Sequence, residues 1–292
     1  MENTRTVKRK IATVSKIEQI TNAMKVVATN RLRKVEQRAV ALARFGECVR
    51  ATASRLTANT GEEAHPLLQS RSPVRRATII VIGGDRGLCG AYNTNVLRLF
   101  YRVADVRRQI QELSFVAVGA RAVKTLPKRG YELVEAFGEV DSSPLSTLPA
   151  TLAHLAQSRF LSGEADEVVV VHTHYVNPLV YEPVQQVLLP VQPPRVSLEE
   201  MQVREIRPYE FEPSADELLA RLLPMYVETD LEAMLLESSA SEFAARVASM
   251  TNASDNAADM INVLTLNYNR LRQAAITSEI LEVATGAEAL GG

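Results

Sequence analysis

The sequence predicts a multi-part α+β protein: a long antiparallel two-helix coiled coil formed by both termini, with an inserted Rossmann-like α/β domain. Three observations predict it. All 13 prolines fall between Pro66 and Pro224, and glycine is nearly as confined, with only Gly46 before Gly61 and none between Gly163 and Gly286. Both ends carry small or apolar residues at alternating steps of three and four. Between them, short β-branched runs alternate with stretches of helical spacing.

The N-terminal stripe runs through Ala28, Leu32, Val35, Ala39, Leu42, Gly46, Val49, Ala53 and Leu56, with a second stripe upstream at Ile17, Ile20, Met24 and Val27. The C-terminal stripe runs through Phe243, Val247, Met250, Ser254, Ala257, Ile261, Leu264, Tyr268, Leu271 and Ala275. Spacing of 3.5 sustained over more than about four heptads is the coiled-coil signal. Proline costs a helix interior about 3 kcal/mol, so tracts without it favour long helices. Helices are expected over residues 1–58 and 212–288. At about 1.5 Å per residue they would extend roughly 80 and 105 Å, longer than a globular core requires. A folded segment separates them in sequence, so the simplest pairing is antiparallel.

The α/β domain is expected over residues 75–195, joined by connectors at 59–74 and 196–211. Residues 77–83, 114–119, 131–137, 167–173 and 181–189 read as strands, and 93–112, 120–130 and 145–161 as helices. Such alternation implies βαβ units and a largely parallel sheet. Residues 190–215, with five prolines, read as the return connector.

Composition narrows the function. Aromatic residues are 5% of the chain and tryptophan is absent, so the core must come from Leu, Ile, Val and Ala. No apolar run approaches the ~20 residues that span a bilayer, and the first ten residues lack the apolar segment of a signal peptide. Cys48 and Cys89 lie too far apart in sequence to suggest a zinc site or a disulfide framework, which fits a reducing cytoplasm. Charge is lopsided: residues 1–57 hold thirteen basic against four acidic side chains, and residues 210–288 hold fourteen acidic against four arginines. The two ends can attract each other, although exposed pairs contribute little individually.

Candidate chemistry is thin. Residues 83–90, GGDRGLCG, follow a strand and precede a helix, where backbone N–H groups can bind phosphate. They match neither a P-loop nor the dinucleotide fingerprint, and a structural turn is the favoured reading. His172 and His174 share one face of a strand and form a candidate metal pair, weighed against a packed or solvated face. Cys89 as a nucleophile lacks a base evident in sequence. The basic clusters at 8–10 and 31–34 lack interleaved aromatics, which disfavours nucleic acid. No cofactor, metal or catalytic residue is expected.

Three stretches, VKRKIATVSKIEQITNAMKVVATNRLRK, GGDRGLCGAYNTN and ARVASMTNASDNAADMINVLTLNYNRLRQAAITSEILEVATGA, resemble the gamma subunit of F-type ATP synthases, in family order and at both chain ends. EPVQQVLLP at 182–190 is similar to the close of that family's globular domain. The resemblance implies a non-catalytic central-stalk rotor whose terminal helices penetrate a hexamer of alpha and beta subunits. Its globular domain would sit beside the epsilon subunit and the membrane ring of c subunits. It implies a location on the cytoplasmic face of the bacterial inner membrane, held only through the complex. Matched motifs place Arg9, Met24, Lys25, Arg33, Arg246, Arg272, Gln273 and Thr277 at contacts with the alpha/beta hexamer. Gly84, Ala91, Val247 and Thr251 depart from the pattern, consistent with a divergent or second-copy synthase, including a sodium-linked one. Two other readings stay open: the shaft of another rotary ATPase, and a nucleotide-binding enzyme centred on residues 76–195.

Overall fold

The computed structural model describes residues 3–138, 140, 146–192, 211, 212 and 214–290. Most of the connector expected at 196–211 lies outside these residues, as does position 145. The chain divides into two compact units, one of Asn30–Ala245 and one of Met1–Thr29 with Arg246–Gly292. Helix α1 spans Thr4–Thr60 and α5 spans Ala215–Leu290, so each contributes to both.

In the first of these units, five strands form one sheet: β1 (Arg76–Ile82), β2 (Glu112–Val118), β3 (Leu133–Phe137), β4 (Glu167–Asn177) and β5 (Val180–Leu189). Their order is β3-β2-β1-β4-β5. All pairings are parallel except β4 with β5, which form an antiparallel hairpin. At its tip the Asn177 side-chain oxygen accepts the N–H groups of Leu179 and Val180. Helices α2 (Tyr92–Val106), α3 (Ala120–Thr125) and α4 (Leu148–Leu161) fill the crossovers.

Three of the expected domain helices are shorter in the structure, the 145–161 stretch being helical from Leu148. The 93–112 stretch is helical only to Val106, because residues from Glu112 onward pair with β1 instead. The 120–130 stretch breaks after Thr125 into a 3-10 turn at Pro127–Arg129, since proline cannot donate to the helix ladder. The central strands are apolar on both faces, as a covered parallel sheet demands. On one face Ile79, Val81, Ala117, Val169 and Val171 pack on α2 and α3. On the other, Ile80, Ile82, Val116, Val118, Val168 and Val170 pack on Leu152, Ala156 and Phe160 of α4, on Val49, Ala53 and Leu56 of α1, and on Leu219, Leu223 and Val227 of α5.

Within this unit α1 and α5 run antiparallel. Leu32 and Val35 cluster with Leu236, Ala240 and Ala244, whereas Val49 to Leu56 cluster with Leu219 to Val227. Opposite charges meet along the same register, Arg38 with Glu232 and Arg50 with Asp230. Gly46 marks a close approach: a Cβ there would lie 3.4 Å from the Thr229 methyl carbon and 3.3 Å from the Arg50 guanidinium. Pro224 lies inside α5. Burial of Leu219, Leu223 and Val227 on either side offsets its cost to the helix.

The second unit is built of the remaining segments of α1 and α5. On α1 a protected seam runs through Val7, Ile11, Val14, Glu18, Thr21, Lys25 and Ala28, again alternating four and three, with Thr4, Ser15 and Met24 half-buried beside it. Thr21 fits this seam because its hydroxyl donates to the carbonyls of Ile17 and Glu18. The expected upstream stripe is therefore corrected. Ile17, Ile20 and Val27 are exposed, and Met24 alone of the four is half-buried. On α5 the expected stripe is protected from Val247 to Leu271, but Ala275 is exposed, as is every described side chain from 272 to 285.

Leu223→Ala should destabilise the sheet-bearing unit by about 3 kcal/mol, the cost of a leucine-sized cavity in a packed core. Urea unfolding followed by circular dichroism checks this through the midpoint, and the α4–α5 packing is misassigned if the midpoint stays put.

Candidate functional site

The residues expected to contact partners do not converge on one pocket. They are strung along the two helices. Arg9 is exposed and Met24 and Lys25 are half-buried on α1 in the second unit, whereas Arg33 is exposed in the sheet-bearing unit. Arg272, Gln273 and Thr277 lie together on the exposed stretch of α5, where the Thr277 hydroxyl donates to the Gln273 carbonyl at 2.9 Å. Arg246 differs from these, being only 7% exposed, so most of its surface is already covered within the chain.

A mostly apolar tip is what the sequence leads one to expect, but the residues that form its surface were not identified from it. Ile17, Ile20, Val26 and Val27 on α1, and Met260, Val263, Leu266, Ile276, Ile280, Leu281 and Val283 on α5, are exposed. They fall outside the seam of their own helix or beyond its end. The signal was present as a surplus of apolar residues over what a 3.5-spaced seam can bury, and such surplus marks a surface made to be covered. No charge cluster interrupts residues 273–278, QAAITS.

The GGDRGLCG segment is a structural turn at the end of β1. The Gly84 N–H donates to the Asn93 side-chain oxygen at 2.9 Å, and the Gly84 carbonyl accepts from Arg121. The Asp85 carboxylate accepts the N–H groups of Ala120 and Val140. Its polar groups are thus used to tie β1 to α2, α3 and the residues after β3. A Cβ on Gly84 would sit 2.9 Å from the Glu242 carboxylate of α5, which would have to shift to admit it, and Leu88 takes a left-handed φ of 63° at the exposed crest. Cys89 is buried beneath that crest, where Asn93 Nδ2 approaches its sulfur at 3.2 Å. A nucleophile needs access that this position lacks.

His172 and His174 share one face of β4, as expected, and both turn an Nδ1 toward Glu237 of α5, at 3.9 and 2.8 Å. Among the described residues no group of three or more His, Cys, Asp or Glu side chains is arranged to hold a metal ion. Both ring nitrogens of His172 are buried without a hydrogen-bond partner. Burial, with the neighbouring His174 acting in the same sense, pushes the His172 imidazole down to about 4. A cavity of about 360 Å³ opens between α2 and β2 and is lined by Asp105, Arg108, Phe115, Arg129 and Tyr131. Among the described residues no helix is long and apolar enough to cross a membrane.

Residues 3–290 match the ATP synthase family. The chain is 39% identical to the ATP synthase gamma chain of Desulforamulus reducens over 99% of its own length and 100% of that protein. It is 38% identical to that of Pelotomaculum thermopropionicum with the same coverage. Its fold is similar to a chain in the rotor of the Euglena gracilis mitochondrial ATP synthase, with a TM-score of 0.63 and 18% identity, covering 94% of this chain and 98% of that one. It is also similar to a chain in the central stalk and c-ring structure of the Tetrahymena thermophila mitochondrial enzyme, with a TM-score of 0.61 and 23% identity, covering 80% and 99%.

His172 sets an acid limit on stability. Its folded value, about 4, lies below the ordinary imidazole value of 6.5, so the unfolded chain binds more protons between the two. Stability is fully present above pH 6.5 and is lost as pH falls toward 4, on the order of 2 kcal/mol by pH 5. His172→Phe should remove that component. Denaturant unfolding at pH 7 and pH 5 measures it, and equal pH sensitivity in parent and variant would refute the assignment.

Proposed function

Because this chain belongs to the ATP synthase gamma-chain family, the central-stalk rotor subunits of F-type ATP synthases, we propose that it carries no catalytic site of its own and works by pushing on its neighbours. One observation carries the reading. The helical segments of the second unit protect a mixed seam, in which Glu18, Thr21 and Lys25 stand among apolar side chains, and leave a further apolar set exposed for a surrounding sleeve. A charge-free stretch such as residues 273–278 can turn inside such a sleeve, because no large set of hydrogen bonds must break at each step.

The sleeve is the hexamer of alpha and beta subunits, which holds the nucleotide sites. Arg272, Gln273 and Thr277 supply polar contacts to it near the end of α5, and Met24, Lys25, Arg9 and Arg33 supply contacts from α1. Arg246, largely covered, acts by holding its own helix in place. The sheet-bearing unit, residues 75–195 with the helix turns packed on it, takes up the movement of the c-ring beside the epsilon subunit. Residues 1–58 and 212–288 transmit it to the hexamer. The complex lies on the cytoplasmic face of the bacterial inner membrane, with this chain attached only through its partners. Long helices suit this task because a continuous hydrogen-bond ladder, interrupted in α1 by no proline, resists bending.

Arg272→Ala or Gln273→Ala should lower coupled ATP turnover by roughly fivefold, the effect of losing about 1 kcal/mol of interface contact. Turnover in reassembled complexes at parental rates would remove these residues from the contact set. Deleting residues 278–292 should weaken coupling while leaving the thermal unfolding of the sheet-bearing unit unchanged, since the described side chains at 278–285 are exposed. Loss of the sheet's unfolding transition on truncation would contradict this.

A further inference from the structure

One corner of the sheet-bearing unit holds more aromatic and polar groups than its own packing uses. Of the seven phenylalanines and eight tyrosines in the chain, four gather there. Phe100, Phe115 and Tyr131 meet edge to face at 5.1 to 5.6 Å, and Tyr101 stacks on Tyr131 at 5.7 Å. Arg129 caps the group, its Cζ 4.6 Å from the centroid of the Tyr101 ring. The cavity of about 360 Å³ opens beside them, with Leu113, Phe115 and Tyr131 supplying apolar lining and Asp105, Arg108 and Arg129 polar lining. Arg108 is engaged by Asp105 at 2.8 Å, in an exposed pair. Among the described residues no carboxylate pairs with Arg129. A guanidinium that rests its face on a ring keeps its N–H donors at the edge, open to a bidentate acceptor. The Tyr101 hydroxyl is buried with no hydrogen-bond partner among the described residues, and burial, outweighing Arg129, pushes it upward, so it stays a donor.

We propose that this cavity binds a small organic monoanion, with its carboxylate on the edge of Arg129 and its apolar body against Leu113, Phe115 and Tyr131. Charge selects that class first. Two guanidinium groups and one carboxylate leave the lining with a single net positive charge, which suits a carboxylate better than a doubly charged phosphate. α2 ends at Val106 beside the cavity, and the negative end of its dipole adds to the bias against a dianion. The aromatic lining calls for an apolar body, because a bare anion would leave those rings in water. The volume, about 360 Å³, falls at the small end of the roughly 300–1,000 Å³ typical of sites for small molecules. The site lies wholly within the sheet-bearing unit, so it stands whether or not the chain turns.

Saturation-transfer NMR on the full chain, titrated with 3-phenylpropanoate, tests the site. The acid should bind, whereas the neutral 3-phenylpropanamide, and acetate, which lacks the ring, should each bind at least about tenfold more weakly. Arg129→Gln should weaken binding of the acid by a similar factor. Asp105→Asn removes the competing carboxylate and releases Arg108, so it should tighten binding about threefold. Changes of opposite sign in two variants of one site exclude loss of fold as their common cause. Arg98→Gln alters an exposed arginine of α2 that reaches Asn95 instead, and should leave the affinity unchanged. The proposal is overturned if acid and amide bind equally, if Arg129→Gln has no effect, or if Asp105→Asn weakens binding. Absence of saturation transfer to the acid at about 5 mM overturns it as well.

Discussion

The constraint on which this molecule depends is that a long helix in water must bury one narrow seam along its length. A straight α-helix repeats every 3.6 residues, so side chains stepped by three and four stay on one face only if a second helix follows them. Both units obey this. In the sheet-bearing unit the seam of α1 meets α5 in antiparallel register, and small residues such as Gly46 and Ala240 let the backbones come close. In the other unit the seam from Val7 to Ala28 keeps the same phase, at the expense of larger apolar residues that a simpler hydrophobicity rule would have buried.

That exclusion has a functional consequence. Ile17, Ile20, Val26 and Val27 cannot join a seam already filled by Thr21, Lys25 and Ala28, so they face outward. The same holds for Met260, Val263 and Leu266 on α5. A chain on its own would gain nothing from this surface.

The opposite arrangement holds where the sheet meets the helices. There the contacts are polar, short and directional: Tyr92 and Thr173 on Ser238, His174 on Glu237, Tyr175 on Glu36. Hydrogen bonds between well-packed elements fix register where apolar packing alone would allow sliding. The GGDRGLCG turn contributes to the fixed set, with Asp85 and Asn93 using its polar groups internally and Gly84 admitting Glu242 of α5.

Sequence alone determined the long terminal helices, the alternating strands and helices between them, and the seam from Ala28 to Leu56 and from Val247 to Leu271, because each is written in local spacing or in the placement of proline and glycine. Arg272, Gln273 and Thr277 came from matched motifs, and their exposed stretch was not legible in the periodicity, which carried the seam on to Ala275. Only the tertiary structure decided that Ile17, Ile20 and Val27 lie outside the seam, since two stripes with the same period differ only in which one finds a facing helix. It alone buried Arg246, ended α2 at Val106, kept Pro224 within a helix and brought His174 to Glu237. Each of these depends on contacts between residues far apart in sequence, and no local pattern carries that information.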